Sequence, residues 1–329
     1  MFNLFNKTNY RVQIFIIIIT GITLWLPGFI NPVIIQKGNN LTPLYNISIQ
    51  ILQSWKPLVT ITGLIFLFLL SFSLNNTLVK HDIIIMNNYL PAFLVVLLGS
   101  WHSTLLTFHP ALPAALLLLT TANNFLTVSI KDEAFNNLFY IGFSIALASM
   151  FYFPAIIFFI IIPIGFIAIK IFSLRAWLLA FTGFFFPYVC LTVWYFCIDK
   201  LEIIIKDYLY YFSNLSFINI KIDNSFLFYV LCIPLCLLII FSVFKVLTTL
   251  INKNISVRRA LILITWFVIL SVAGLFTNSK NVILHSIIIL FPVITFVAQF
   301  INSIRKKIIK EIAFCFIIMF TIFFRFFVR

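Results

Sequence analysis

Residues 81–160 read HDIIIMNNYLPAFLVVLLGSWHSTLLTFHPALPAALLLLTTANNFLTVSIKDEAFNNLFYIGFSIALASMFYFPAIIFFI. Their apolar runs approach the roughly 20 residues that a helix needs to cross a bilayer core. Polar pairs and prolines interrupt these runs at Asn87-Asn88, Trp101-His102, His109-Pro110, Pro91, Pro113 and Pro154. Polar groups are costly inside hydrocarbon, so those that persist there commonly serve a function. This segment is therefore predicted to hold the functional site of a membrane protein.

The composition of the whole chain indicates the same environment. Hydrophobic residues make up 63% of the 329 residues and charged residues only 9%, whereas soluble domains are about 45–50% apolar and about 25% charged. Apolar windows recur along the chain without a gap large enough for a soluble domain. The sequence predicts an all-α, polytopic transmembrane helix bundle that forms a single integral membrane domain over residues 1–329.

About eleven membrane spans are predicted, with a range of nine to eleven. They lie near residues 12–30, 57–74, 83–101, 110–126, 136–151, 152–169, 176–198, 226–250, 260–278, 282–301 and 311–328. Lys7 and Arg11 precede the first span, which places the N-terminus in the cytoplasm because basic residues remain on that side. Most of the 22 Lys and Arg then fall in inner loops, as expected for a multi-pass protein of a bacterial inner membrane.

Two prolines and one junction between helices bear on this assignment of membrane spans. Pro154 and Pro187 should each mark a bend or a helix boundary, since proline lacks an amide donor. If residues 136–169 were instead one long helix, every later loop would change sides, and the cluster Arg305-Lys306-Lys307 would face outward.

Two outer loops are long, at residues 31–56 and 199–225. The first contains NISIQILQSW, in which Ile47, Ile51 and Trp55 repeat at helical spacing. This pattern predicts a short amphipathic helix lying in the membrane interface. The second loop carries acidic residues around the aromatic run YLYYF, which is typical of an interfacial belt.

The candidate catalytic residues lie on the predicted outer side. His102 and His109 share one loop, and imidazole can carry a proton near neutral pH. The only carboxylates on the predicted outer side are in the second long loop, so an outward-facing base would be a histidine or one of Asp199, Glu202, Asp207 and Asp223. We therefore expect His102 or His109 to lie near Asp199 or Glu202. The alternative is that both histidines are interfacial and bind only water and headgroups.

Further residues are candidates for substrate binding. On the outer side, Trp101 could form a flat wall against a sugar and Lys206 could hold a phosphate. Arg175, at the inner end of the seventh span, could bind a phosphate bidentately or extend to anionic headgroups. Asn87 and Asn88 could bind substrate or could join helices by hydrogen bonds inside the membrane.

Residues 109–159, from HPALPAALLLL through the charged turn KDEAF to MFYFPAIIFF, resemble multi-spanning glycosyltransferases of the GT-C type. The resemblance implies a polyprenyl-phosphate-sugar donor and an acidic catalytic residue in the first outer loop. Residues 31–56 contain no Asp or Glu, so that acid would have to come from elsewhere. The chain is also similar in size and layout to uncharacterised bacterial inner-membrane families of about 300 residues.

Three functions remain open. The chain could handle a lipid-linked envelope glycan or phosphate, could be a non-catalytic membrane subunit or scaffold, or could be a transporter. The last is disfavoured because no span shows a mid-membrane acid or base. Expected partners are membrane lipids, a polyprenyl-phosphate-linked substrate and other membrane subunits, but not nucleic acid. No cofactor is expected, since nucleotide-binding motifs are absent, and no metal, since Cys232 and Cys236 lack further ligands.

Overall fold

The computed structural model describes residues 10–30, 42–52, 55–129, 135–213, 226–277, 282–304 and 306–327. Within these ranges the chain is helical and contains no β-strand, which confirms the predicted all-α class for this part of the chain. The α-helices are α1 Tyr10–Ile30, α2 Pro43–Leu52, α3 Lys56–Lys80, α4 Leu90–Gly99, α5 Ala111–Val128, α6 Phe135–Phe151, α7 Ile161–Ile169, α8 Leu174–Cys197, α9 Leu201–Ser213, α10 Phe226–Thr248, α11 Ile255–Thr277, α12 Val282–Ser303 and α13 Lys307–Phe327. Segments of 3₁₀-helix lie at Ser103–Leu105, Phe153–Ile160 and Leu250–Asn252.

Six helical stretches are long and apolar enough to cross a membrane. They are Tyr10–Ile30, Pro57–Lys80, Ala111–Val128, Leu174–Cys197, Ile255–Leu275 and Val282–Ser303. The chain is therefore a membrane-embedded helical protein, as the composition predicts. Shorter apolar helices occupy Leu90–Gly99, Phe135–Phe151, Phe153–Ile169 and Cys236–Thr248, so the count of eleven crossings stays a prediction.

The third predicted span, residues 83–101, is not a full-length helix. Its helical part is α4, Leu90–Gly99, and all ten residues of α4 are buried. At 1.5 Å per residue this helix is about 15 Å long, half of a bilayer core of about 30 Å. No continuous helix extends over residues 83–101, because residues 81–89 and 100–110 are not α-helical.

The connection before α4 is held by polar side chains from other helices. Asp82 and Asn87 adopt left-handed backbone angles, with φ of 55° and 65°, which interrupts the apolar run between them. The carbonyl of Ile83 accepts a hydrogen bond from Gln299 Nε2 at 3.1 Å. The amide of Tyr89 donates to Gln13 Oε1 at 3.0 Å. An irregular backbone near hydrocarbon needs such partners. The hydrogen bonds from Gln299 and Gln13 therefore hold this connection in a defined conformation against the bundle.

A second break separates α6 from the following 3₁₀ segment. α6 ends at Phe151, and Tyr152 is extended with φ −140° before Pro154 opens the next turn. Proline has no amide hydrogen to continue the α-helical pattern. The predicted junction at Phe151-Tyr152 and the predicted boundary at Pro154 are confirmed. Pro187 differs: α8 continues through it from Leu174 to Cys197, so no helix boundary falls there.

α6 and α8 approach each other closely at two glycines. A Cβ atom on Gly142 would overlap the carbonyl oxygen of Ala180, and one on Gly183 would overlap that of Phe139. Small residues at helix interfaces in membranes allow this proximity. Nearer the break at Phe151, Leu191 of α8 and Ile204 of α9 pack with Met150 of α6.

Candidate functional site

The segment between α4 and α5, residues 100–110, is folded into the bundle. Trp25 Nε1 donates to Ser100 Oγ at 2.9 Å, and Ser100 Oγ donates to the carbonyl of Val96 at 2.7 Å. Further along, the amide of Phe108 donates to the carbonyl of Val59 at 3.0 Å. Because α1 and α3 both bind this segment, its two histidines stand at fixed positions.

His102 begins the 3₁₀ turn Ser103–Leu105 and caps it. Its Nδ1 accepts the amide hydrogen of Thr104 at 3.2 Å and lies 2.9 Å from the Thr104 hydroxyl. Its ring meets that of Trp101 edge-on at a centroid distance of 5.3 Å. Trp101 in turn donates from Nε1 to Ser286 Oγ at 3.4 Å. Trp101 thus joins this turn to α12, and the ring of His102 packs against Trp101.

His109 is completely buried, and neither ring nitrogen has a hydrogen-bond partner among the described residues. Its carbonyl accepts from the amide of Leu112 at the start of α5. Burial disfavours the charged ring and lowers the pKa of His109 to about 3, so the imidazole is neutral near pH 7. An imidazole with neither nitrogen bonded is energetically costly, which makes His109 the most unusual polar group at this end.

His285 was not among the site residues predicted from the sequence. It lies in the first turn of α12 and is completely buried. Its Nε2 is 2.8 Å from the carbonyl oxygen of Ser271, and because a carbonyl only accepts, Nε2 carries the proton. Its Nδ1 is 3.2 Å from the Tyr152 hydroxyl, which donates to it in the neutral ring. The pair therefore joins α12 to α11 and to the break after α6.

A glycine makes the position of His285 possible. A Cβ atom on Gly274 would lie 2.7 Å from Cε1 and 2.9 Å from Nε2 of the His285 ring. The signal that could have revealed this site is a histidine within an apolar run, HSIIIL, together with a lone glycine in the preceding span. Because Ser286 binds Trp101, His285 belongs to the same end of the bundle as His102.

The predicted acidic residues lie on the surface. Asp199 follows the last turn of α8 with φ 55° and is exposed. Glu202 is in the first turn of α9 and pairs with Lys206 at 3.2 Å, with both side chains largely exposed. A carboxylate in a first turn also complements the helix dipole. The expected proximity of His102 or His109 to Asp199 or Glu202 stays a prediction.

Arg175 is exposed in the first turn of α8, and its guanidinium lies 4.3 Å from the ring centroid of Phe135. The guanidinium thus makes a cation–π contact with the Phe135 ring. Asn87 is exposed at the tip of the connection before α4, whereas Asn88 is buried. Asn88 Nδ2 donates to Asn302 Oδ1 at 3.3 Å, and Asn88 Oδ1 accepts the amide of Leu90 at 3.0 Å.

These contacts separate the predicted residues into two groups. Asn88 lies in the connection at residues 81–89, and Arg175 lies against Phe135 at the start of α6. We call this the His81 end, because His81 there contacts Asn123 Oδ1 through Nε2 at 3.1 Å. Trp101, His102, His109 and His285 lie with the breaks at residues 100–110 and 151–153, which we call the His102 end.

Three comparisons provide the remaining context for this site. Neither the models of known protein families, nor curated proteins, nor solved structures contain a match to the chain. Within the described ranges, no three His, Cys, Asp or Glu side chains group as ligands of a metal ion. The class of protein is therefore defined by the chain itself, as a membrane-embedded helical bundle with two irregular, polar connections around a short buried helix.

Proposed function

We propose that the chain is a bacterial inner-membrane protein with a cytoplasmic N-terminus and about eleven crossings. We further propose that it handles a lipid-linked envelope glycan or phosphate at the His102 end. The observation that carries the proposal is the buried segment 100–110, in which His109 has two unpaired ring nitrogens. Natural proteins rarely leave buried polar groups without partners unless the group is used.

Neighbouring features fit a substrate with both polar and apolar parts. Trp101 is partly exposed beside His102, and aromatic rings of this kind have an apolar face and a polar edge. The short helix α2 packs over the neighbouring Phe108 through Tyr45. An amphiphile with a sugar or phosphate head group could therefore meet hydrogen-bonding groups at the His102 end while its chain remains in the lipid.

The test uses a strain in which the chromosomal copy is replaced by variants. His109→Ala should change the amounts of polyprenyl-phosphate-linked species and of envelope glycans, measured by mass spectrometry, while the protein level is unchanged. His81→Ala at the opposite end is the matched control, because it also removes a buried imidazole. Unchanged envelope composition in His109→Ala and in a His102→Ala/His109→Ala pair would exclude this function.

A second candidate is a non-catalytic membrane subunit. It is favoured by the local structural roles of three predicted catalytic residues: His102 caps a turn, Asp199 ends a helix and Glu202 pairs with Lys206. Under this hypothesis, native mass spectrometry from mild detergent should detect a stoichiometric membrane partner. The His109→Ala variant should retain that partner and leave the envelope composition unchanged.

A further inference from the structure

We propose that His109 binds the head group of a membrane amphiphile through a hydroxyl or a phosphate monoester, and that α2 is the cover under which this head group enters. The inference rests on the proposed function, because it names a ligand class for the same end of the bundle. It also adds a route from the lipid to the site. The proposal is supported by contacts of α2, of residues 100–110 and of His109.

The chemistry of the ligand follows from the two ring nitrogens of His109. A neutral imidazole has one donor and one acceptor, and in His109 both are buried without a partner. A hydroxyl, or a phosphate monoester that keeps one proton, also has a donor and an acceptor. Such a group can bind whichever ring nitrogen faces it, because it can accept from the N–H or donate to the bare nitrogen, whereas a carbonyl can only accept and a quaternary amine can do neither.

The helix α2 holds the residue that precedes His109. The Tyr45 hydroxyl donates to the carbonyl of Phe108 at 3.3 Å, and the two rings stack with centroids 5.9 Å apart. At the start of α2, the Thr42 hydroxyl donates to the carbonyl of Phe151 at 2.5 Å. That carbonyl is available because the α-helical pattern ends at Phe151.

The contact between α2 and the bundle is separate from the main core. Tyr45 and Ile49 pack with Val59 and Phe108 in a small cluster of four buried residues, whereas the main core extends across α3, α4, α5 and α12. Local opening costs least where few buried apolar contacts are lost. α2 can therefore lift from Phe108 while the main core remains intact.

The exposed side of α2 carries two isoleucines and two amides. Ile47 and Ile51 are 45% and 69% exposed, Asn46 and Gln50 are exposed beside them and hydrogen-bond to each other, and the helix PLYNISIQIL carries no charge. Trp55 immediately precedes α3, whose residues from Pro57 onward form a candidate membrane span. Such a short connection keeps α2 at the membrane boundary, where tryptophan is enriched. The exposed isoleucines of α2 are therefore placed at the membrane interface, as expected for a short uncharged helix with an apolar side.

The test measures chemical access to His109 in nanodiscs of phosphatidylcholine. Diethylpyrocarbonate modifies neutral imidazole, so access alone limits the labelling of His109, which mass spectrometry can quantify. Tyr45→Phe removes the hydrogen bond to Phe108 and keeps the ring. We expect labelling of His109 to be about fivefold faster, the factor that corresponds to one neutral hydrogen bond. Tyr188→Phe is the matched control, since it removes the tyrosine bond to Ser149 without removing the bond to Phe108.

Ligand binding is tested in the same Tyr45→Phe protein. Phosphatidic acid or diacylglycerol in the nanodisc should slow the labelling of His109, and the difference between them identifies the head group. His285 should stay unlabelled throughout, which excludes general unfolding. Equal labelling in Tyr45→Phe and Tyr188→Phe would overturn the role of α2. Protection by neither lipid, or equal protection by inorganic phosphate in solution, would overturn the binding of an amphiphile. Neither result depends on an envelope phenotype, so it is distinguishable from failure of the proposed function.

Discussion

The buried imidazole of His109 makes stability depend on pH in a definite direction. In the unfolded chain a histidine binds a proton near pH 6.5, whereas burial lowers the pKa of His109 to about 3. Between these values the unfolded state binds more protons, so the free energy of unfolding decreases as the pH falls. Well above pH 6.5, His109 is neutral in both states and its protonation takes nothing from the free energy of unfolding. At pH 5 the wild type should have lost about 2 kcal/mol relative to pH 7.

Thermal unfolding in detergent at pH 7 and pH 5 measures this effect. The comparison is with His109→Leu, which does not titrate at this position and should lose correspondingly less stability on acidification. Parallel losses in both proteins would show that the pKa of His109 is not depressed.

The bond between Tyr152 and His285 predicts a second residue-scale effect. Tyr152→Phe leaves Nδ1 of a completely buried ring without its donor, and a lost partner of this kind costs about 1–3 kcal/mol. The melting temperature should fall. Tyr140→Phe is the control, because Tyr140 is 51% exposed and its substitution should have little effect. Equal melting temperatures in the two variants would contradict the buried bond.

At the scale of single elements, α4 should be the helix most sensitive to truncation. Leu94 lies in its middle and is completely buried, so Leu94→Ala should cost about 2–5 kcal/mol through lost contacts and a cavity. Leu69 on α3 is 50% exposed, and Leu69→Ala should cost less than about 1 kcal/mol. Denaturant titration of both variants in the same detergent measures the difference. A smaller loss in Leu94→Ala than in Leu69→Ala would be inconsistent with a central α4.

The elements also show how far the sequence could be interpreted. Long apolar runs such as Tyr10–Ile30 and Val282–Ser303 were predicted almost to their ends, because hydropathy reports burial or lipid contact directly. Residues 83–86 are equally apolar, yet they are not helical, since Asp82 and Asn87 take left-handed angles and Gln299 binds Ile83. Those partners come from distant segments, and a hydropathy pattern cannot reveal them.

The short helix in the first outer loop gives a mixed result. A helix was predicted there and is present as α2, and two of the predicted apolar positions, Ile47 and Ile51, are exposed on it, whereas Trp55 lies beyond its last residue, Leu52. The face that contacts the protein, Tyr45 and Ile49, could not be inferred, because it depends on Phe108 and Val59. The candidate site shows the same difference between sequence and structure. Trp101 and His102 are neighbours in sequence and were recognised, whereas His285 comes to the same end of the bundle only in the folded chain.

For the whole molecule, the contacts separate the irregular segments into two ends. At the His81 end, Lys253 Nζ donates to Gln299 Oε1 at 2.6 Å, and Asn88 binds Asn302. At the His102 end, Thr42 binds Phe151 and Trp101 binds Ser286. The predicted threading assigns the first set to the cytoplasm and the second to the outside.

Lys253 also indicates which end should face the cytoplasm. It lies in the connection between α10 and α11 near Arg258 and Arg259, and burial lowers the pKa of its amine. Basic residues concentrated in a short loop are retained on the cytoplasmic side. The predicted side of the membrane thus rests on charge, whereas the helical contacts show only which loops lie together.

The orientation can be tested with single cysteines in a variant that lacks Cys190, Cys197, Cys232, Cys236 and Cys315. Asn254→Cys lies beside Lys253 and should resist a membrane-impermeant maleimide added to intact cells, because that loop is predicted to be cytoplasmic. Asn214→Cys lies outside the described residues, in the predicted outer loop 199–225, and should be modified. Permeabilised cells provide the control, since both cysteines should then react. Modification of Asn254→Cys and protection of Asn214→Cys in intact cells would reverse the orientation, and would move the His102 end and the cover formed by α2 to the cytoplasmic face.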